Sequence, residues 1–330
     1  MSEGLYIIFA NILVCTLFSY GLGPYISSIG NKFNIIDIPN LRKVHKKPIV
    51  RIGGLSIFLT FYLYLFSTIF FIKFDNFNPD LLVKFYIFLI GAFLFFLIGI
   101  HDDIYKSSPL LRLVFQFAVA FFVSLNGINF NTLNFSLPYF GQINIVLIPI
   151  FNHIISVIWI VGITNAINWI DGIDALAGGY CAILSIGLCV LMFLQGNTIG
   201  ILFYSIFLGS ILGFLIRNFK PAFYIMGDCG SNFLGFSLST STLLFLSNST
   251  FGYPNIFNML LIFSLPILDM LIVITQRLIS KQNIFLPNKN HIHHRLMNCN
   301  LDYKFIIFIL FSYSSFTTLV SVFCLKKNIF

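Results

Sequence analysis

Residues 82–103 read LVKFYIFLIGAFLFFLIGIHDD. Nineteen residues, interrupted by one lysine, are almost wholly apolar, and the run then stops at His101-Asp102-Asp103. A helix needs about 20 apolar residues to cross a hydrocarbon core, so this stretch predicts a membrane span. Each charged group inside a bilayer costs roughly 2.5–3.5 kcal/mol on insertion scales, so carboxylates placed where such a run ends suggest a site.

The same arrangement recurs along the chain. Only 11 of the 330 residues are Asp or Glu, and five of the Asp fall in three clusters: Asp102-Asp103, Asp171-Gly172-Ile173-Asp174, and Asp228 within Met226–Ser231. Each stands at the end of an apolar run. The chain is 58% hydrophobic and 9% charged, against about 25% charged in soluble domains. The short alternating segments of a β-barrel do not dominate the pattern. The fold class expected is all-α: a polytopic membrane protein forming a single domain over residues 1–330. About ten spans are expected, near 4–24, 54–73, 82–100, 110–127, 145–164, 176–195, 198–216, 232–248, 256–279 and 305–325. The N-terminus lacks a basic region and a small-residue cleavage site, so the first run is expected to be a retained span.

Charge gives the orientation. Of the 19 Lys and Arg, 15 fall in or beside the connections 31–53, 101–109, 165–175, 217–231 and 280–304. The positive-inside bias makes these connections cytoplasmic. Every acidic cluster and the histidine segment His291-Ile-His293-His294-Arg295 then share the cytoplasmic face, and an even span count puts both termini outside. The same bias accounts for the net charge of +8 without nucleic acid. The six cysteines show no CxxC spacing and are expected to be free thiols.

The segments carry chemistry by residue type. Adjacent Asp102 and Asp103 cannot face one direction on a helix, so one is expected to serve metal or substrate and the other a structural partner. On a helix Asp171 and Asp174 share a face, with Asn165 and Asn168 in the same phase; an Asp N-cap for the next span is the plainer reading. Gly227 and Gly230 permit tight backbone around Asp228, with Ser231 as a helix cap. Backbone amides at a helix start attract phosphate, and Asp228 could hold Mg²⁺ bridging phosphates. His291, His293, His294 and Arg295 suit donation to pyrophosphate oxygens better than zinc ligation. The basic run Arg42–Gly54, containing His45, Lys46 and Lys47, suits capture of an anionic diphosphate or lipid phosphate as well as topogenic charge. Buried Asp269 is expected to pair with a neighbouring helix, and His153 to be a satisfied core or interfacial residue.

Together RKVHKKPIVRIGG, GIHDDIYKSSPLLR, NAINWIDGIDALAGG, MGDCGSNFLGF and NKNHIHHRL resemble the polyprenyl-phosphate N-acetylhexosamine-1-phosphate transferases over Arg42–Leu296. HIHHRL is similar to the branch that initiates O-antigen, enterobacterial common antigen or teichoic acid linkage units. The resemblance implies transfer of a sugar 1-phosphate from a UDP-N-acetylhexosamine, foremost UDP-GlcNAc, to polyprenyl phosphate in the cytoplasmic membrane, with release of UMP. It implies Mg²⁺, with Mn²⁺ as a substitute, bound by Asp228 and Asp174. Asp102 resembles the base, with Asp103 beside it. Asn168, Asp171 and Asp174 match residues shaping the nucleotide and metal site, and Asn218 matches a nucleotide-contacting residue. His291, His293, His294 and Arg295 match the pyrophosphate loop. The chain departs from the pattern at Ala175, where glycine is usual, and at Ile225, where an aromatic is common; Tyr224 or Phe223 would then stack on the base. A phospho-N-acetylmuramoyl-pentapeptide transferase and a transporter of an anionic or lipid-linked substrate are the alternatives. A homodimer is an open assembly state.

Overall fold

The computed structural model describes residues 2–39, 47–71, 79–130, 132–137, 141–246, 256–282 and 290–327. Among them are twelve helices: Ser2–Lys32 (α1), Gly54–Phe71 (α2), Pro79–Tyr105 (α3), Pro109–Leu125 (α4), Pro149–Ile170 (α5), Leu176–Gln195 (α6), Thr198–Asn218 (α7), Gly227–Leu246 (α8), Ile256–Ile262 (α9), Ser264–Ile279 (α10), Ile292–Asn298 (α11) and Tyr303–Lys327 (α12). Ile36–Asp37 (β1) pairs antiparallel with Ile49–Val50 (β2), and Thr132–Leu137 (β3) with Gly141–Val146 (β4).

The all-α class holds, and each expected span coincides with a helix or with the α9–α10 pair. Length and composition alone do not confirm the count of ten: among the described residues six helices are long and apolar enough to cross a membrane (α1, α3, α5, α6, α7 and α12), with α9–α10, bent by 80°, as a seventh. Helices α2 and α4 are 18 and 17 residues long, near the lower limit of length for a span. Helix α8, 20 residues long, is rich in hydroxyls, and its position explains the composition. Ser237, Ser239, Thr240, Ser241 and Thr242 are all fully buried. Ser239, Ser241 and Thr242 donate to the carbonyls of Phe236, Leu238 and Ser239 one turn earlier. A helix enclosed by other helices has no need of a lipid-compatible surface, and small residues let its neighbours approach closely.

That close approach is visible at three glycines. A Cβ on Gly99 of α3 would collide with the backbone of Asp228 and Cys229, one on Gly91 with Phe236, and one on Gly54 of α2 with the backbone of Gly230. The chain before α2 is also laced to the chain before α8. Ile225 N–H donates to the Val50 carbonyl (3.0 Å), Gly53 N–H to Ile225 (2.8 Å) and Gly54 N–H to Met226 (2.8 Å). The start of α8 is thereby fixed against α2, α3 and the strap at Val50–Gly54.

The connection between α4 and α5 carries the β3–β4 hairpin, and the fifth span begins at Pro149 rather than 145. The sheet occupies the polar-apolar alternation of Leu133 to Ile145, a period-2 pattern that favours strand over helix.

Candidate active site

The site is organised by the first turn of α8. Gly227 has φ +75°, a conformation glycine adopts without strain, and a Cβ there would run into the Arg51 carbonyl. The orphan N–H groups that open a helix need acceptors. Here they come from another helix: the Asp103 carboxylate accepts from Asp228 N–H and from Cys229 N–H, both at 2.9 Å. Ser231, expected to cap the helix, lies a turn too late. Its Oγ donates to the Gly227 carbonyl (3.1 Å) and accepts from Asn168 Nδ2 (2.7 Å).

A charge cluster sits on this turn. Arg51 Nε donates to Asp103 Oδ1 (2.8 Å), its Nη2 to Asp228 Oδ2, and its Nη1 lies 3.9 Å from Asp37 Oδ1. On the other side Arg112 Nη1 is 3.1 Å from Asp102 Oδ2 and 3.7 Å from Asp228 Oδ1. Asn168 Nδ2 donates to Asp228 Oδ1. The adjacent Asp102 and Asp103 thus point to different partners, as their helical spacing requires. Asp103 holds α8 and Arg51, whereas Asp102 meets Arg112. All three aspartates are nearly buried.

Beside the cluster opens a cavity of about 270 Å³ whose lining includes Asp37, Arg51, Asn168, Asp171, Asp174, Asn218, Asp228 and His294. Asp171 and Asp174 reach it from a turn, not from a helical face. Helix α5 ends at Ile170, Asp171 is its C-cap, and its N–H turns back to the Asn168 carbonyl. The acidic cluster ends the helix because the chain must reverse into α6 here. The expected Asp N-cap of α6 is absent, since Ala175 holds that position with φ +63°. This left-handed backbone explains why glycine is usual in sequences that resemble this one, because a Cβ there is disfavoured by roughly 1–2 kcal/mol. Asn218 supports the turn. Its Oδ1 accepts from Ala175 N–H (2.8 Å) and its Nδ2 donates to the Tyr224 carbonyl (2.9 Å). Tyr303 Oη donates to the Asp174 carbonyl (2.6 Å). Burial, reinforced by the charges of Asp228 and Asp103 and opposed by Arg51, pushes the Asp171 carboxyl up to about 8.

The histidine segment forms α11 and closes the other wall. Asp269, buried in α10, accepts from His291 Nδ1 (2.8 Å) and from Ile292 N–H (2.6 Å), so the expected partner of Asp269 is this loop and helix start. The His291 and His293 rings stack at 5.7 Å, and His293 lies 4.4 Å from His294. His293 is 1% exposed, and neither ring nitrogen has a partner among the described residues. Burial pushes its imidazole down to about 3, with His294 and His291 adding to the effect and Asp269 opposing it, so it is neutral at pH 7. Its ring lies against Gly172, where a Cβ would overlap it. Arg277 lies 5.3 Å over the Trp169 ring, beside this wall, and is 4% exposed. His153 meets Ser124 Oγ at 2.9 Å.

The structure therefore brings Asp102, Asp103, Asn168, Asp171, Asp174, Asn218, Asp228, His293 and His294 to one end of the bundle. His291 is turned toward Asp269, and Arg295 is exposed and does not line the cavity. Lys47 is exposed and also outside the lining; His45 and Lys46 lie outside the described residues. Tyr224 is buried against Phe214 (5.6 Å) and Phe223 lies 5.3 Å from Arg217, so neither lines the cavity, whereas Ile225 does. Sequence reasoning held Arg51 only as part of the basic run suited to anion capture, not as the centre of the carboxylate cluster, and missed Asp37. The available signal for Arg51 was its place as the last cation before Gly53-Gly54; Asp37 had none.

Four aspartates and one guanidinium in the lining make it hard and oxygen-rich, the donor chemistry that Mg²⁺ or Mn²⁺ prefers. Among the described residues no three carboxylates, histidines or cysteines stand close enough to cage an ion alone. Mg²⁺ commonly takes one or two carboxylates and completes its shell with water and substrate phosphate, so the residues fit such an ion shared with a ligand.

A family profile described as Glycosyl transferase family 4 matches residues 85–246, which run from within α3 to the end of α8. The chain is 34% identical over 292 residues to the Bacillus subtilis protein named "Probable undecaprenyl-phosphate N-acetylglucosaminyl 1-phosphate transferase", covering 87% of this chain and 76% of that one. It is 28% identical over 326 residues to the "Decaprenyl-phosphate N-acetylglucosaminephosphotransferase" of Mycobacterium leprae (90% and 78% covered). It is 27% identical over 290 residues to the "Undecaprenyl-phosphate alpha-N-acetylglucosaminyl 1-phosphate transferase" of Escherichia coli K12 (86% and 74% covered). With such likeness along most of its length, and with the matched segment carrying Asp102, Asp103, Asp171, Asp174 and Asp228, the chain belongs to glycosyl transferase family 4.

Proposed function

We propose that the protein transfers N-acetylglucosamine 1-phosphate from UDP-N-acetylglucosamine to a membrane polyprenyl phosphate, giving polyprenyl-diphospho-N-acetylglucosamine and UMP. The observation that carries this reading is the acidic cavity at the start of α8, in a chain whose relatives are named for N-acetylglucosamine 1-phosphate transfer to such lipids. Phosphoryl transfer needs mostly positioning and neutralisation of charge. A phosphate oxygen of the lipid attacks the sugar-bearing phosphorus, the bond from that phosphorus to the bridging oxygen breaks, and UMP leaves with the electron pair.

Each residue has a place in this scheme. A divalent cation, Mg²⁺ or Mn²⁺, held by Asp228 with Asp174 or Asp171, would offset charge on the diphosphate. Arg51 and His294 line the same cavity and donate to oxygens the cation does not reach. Asp102, set between Arg112 and Asp228, takes the acceptor's proton when it carries one. Asp103 acts through the backbone, fixing α8 so that Asp228 faces the cavity. Neutral, buried His293 supports Gly172 and His294 rather than carrying charge. A nucleotide sugar is too polar to cross the bilayer, and the excess of Lys and Arg on this end supports a cytoplasmic site in the cytoplasmic membrane.

The test is UMP release by the purified protein supplied with UDP-N-acetylglucosamine, polyprenyl phosphate and Mg²⁺. UMP that forms only when all three are present is the expected result. Absence of UMP under these conditions overturns the reading.

A further inference from the structure

Three side-chain amides form one hydrogen-bonded chain between α4, α5 and α8. Gln116 of α4 and Asn232 of α8 are fully buried, and Asn165 of α5 lies beside them. Asn165 Nδ2 donates to the Val161 carbonyl (2.8 Å) and to Gln116 Oε1 (2.7 Å). Gln116 Nε2 donates to Asn232 Oδ1 (2.8 Å), and Asn232 Nδ2 donates to the Asp228 carbonyl (2.8 Å). Both ends of the chain are carbonyls, which only accept, so every amide is held in a single orientation. The helices meet closely here, since a Cβ on Gly235 of α8 would collide with the Thr164 backbone of α5.

Interhelical amides are a common glue in membrane bundles. What distinguishes these three is where they stand. Residues three or four apart on a helix share a face. Gln116 comes four residues after Arg112, Asn165 three before Asn168, and Asn232 four after Asp228. Arg112 and Asn168 are the groups that meet Asp228 Oδ1, and Arg112 also meets Asp102. One glutamine therefore ties together, a helical turn behind the carboxylate, the three helices that supply Asp228 and these two neighbours. None of the three amides lines the reaction cavity, so they act on it only through other residues.

We propose that Gln116 is a positioning residue for the transfer reaction: by joining Asn165 to Asn232 it fixes Asn168 and Arg112 about Asp228, and so sets where that carboxylate meets the divalent cation. This rests on the function proposed above and deepens it. A misplacement of about 1 Å can cost roughly 10²-fold in rate. Loss of the tie therefore slows turnover more than it weakens substrate binding.

The experiment compares the full chain with Q116M and Q116M/N232L in detergent. Q116M keeps the length of the side chain and leaves Asn232 Oδ1 buried without its donor. The double variant removes both partners, a change that can be nearly neutral for stability. Three quantities are read: the unfolding temperature, kcat and KM for UMP release, and Mn²⁺ binding by electron paramagnetic resonance. The last is measured with UDP-N-acetylglucosamine present and the lipid omitted, so that nothing turns over. Both variants are expected to show a kcat at least tenfold lower, unchanged KM values and a Kd for Mn²⁺ at least fivefold higher. The double variant is expected to regain the parental unfolding temperature without regaining kcat. N11L is the control: it removes a buried amide bonded to Ser205 and Tyr64, and is expected to lower the unfolding temperature with kcat and Mn²⁺ affinity unaltered. Return of kcat together with stability in Q116M/N232L, parental kcat and Mn²⁺ affinity in Q116M, an equal loss of kcat in N11L, or a parent that binds no Mn²⁺ overturns the positioning role. A parent that binds Mn²⁺, loses affinity on Q116M and releases no UMP would keep the tie and remove the transferase reaction. An active parent indifferent to Q116M would do the reverse.

Discussion

Asp228→Asn is expected to lower kcat by a factor of roughly 10²–10³ or more, the size of effect seen when a group that stabilises developing charge is removed. The substitution keeps the shape and one oxygen but deletes the negative charge that faces the cavity. Folding should survive it. The Asp228 and Cys229 amides remain capped by Asp103, and Arg51 keeps Asp103 and Asp37. UMP release together with thermal unfolding in detergent checks both halves. A variant with near-parental turnover would remove Asp228 from the chemistry.

Asp103→Ala is expected to fail differently. The Asp103 side chain is fully buried, accepts two backbone N–H groups at the start of α8 and is bound by Arg51. Removing one partner of a buried ion pair costs about 3–5 kcal/mol, because the other charge is left without compensation. Asp228 and Asp37 remain near Arg51, so the lower end of that range is expected. The variant should unfold at a clearly lower temperature and lose activity with it. Asp103→Asn should recover part of the stability, since its amide oxygen can still accept from α8. If Asp103→Ala keeps the parental unfolding temperature while turnover vanishes, Asp103 takes part in the chemistry directly rather than through α8.

The contrast between neighbours 102 and 103 shows what sequence could and could not tell. That one of the two would take a structural partner follows from helical geometry alone. Which one, and that the partner is the first turn of a helix 125 residues later, has no local signature. The same holds for Arg51. Its charge is visible in a basic run, but its contacts with Asp37, Asp103 and Asp228 arise only when β2, α3 and α8 are packed. The spans were legible because apolar length is a local property. Their count is not settled by apolar length alone, since the enclosed α8 is hydroxyl-rich and α4 is 17 residues long. The turn at Asp171 was misread because three-residue spacing looks helical whether or not the helix continues. Its αL Ala175 could only be suspected from the departure from glycine.

The account depends on loops far apart in sequence meeting at one membrane face. With exposed Cys299 replaced by serine, and the other five cysteines buried, single cysteines at the exposed positions 47, 106, 220 and 295 can be probed with an impermeant maleimide in oriented vesicles. Asn126, at the far end of α4, marks the opposite side. Labelling of all four positions from the cytoplasmic side, with residue 126 labelled only from the other, is the expected result. Labelling of 106, 220 and 295 from opposite sides of the bilayer would contradict a shared site.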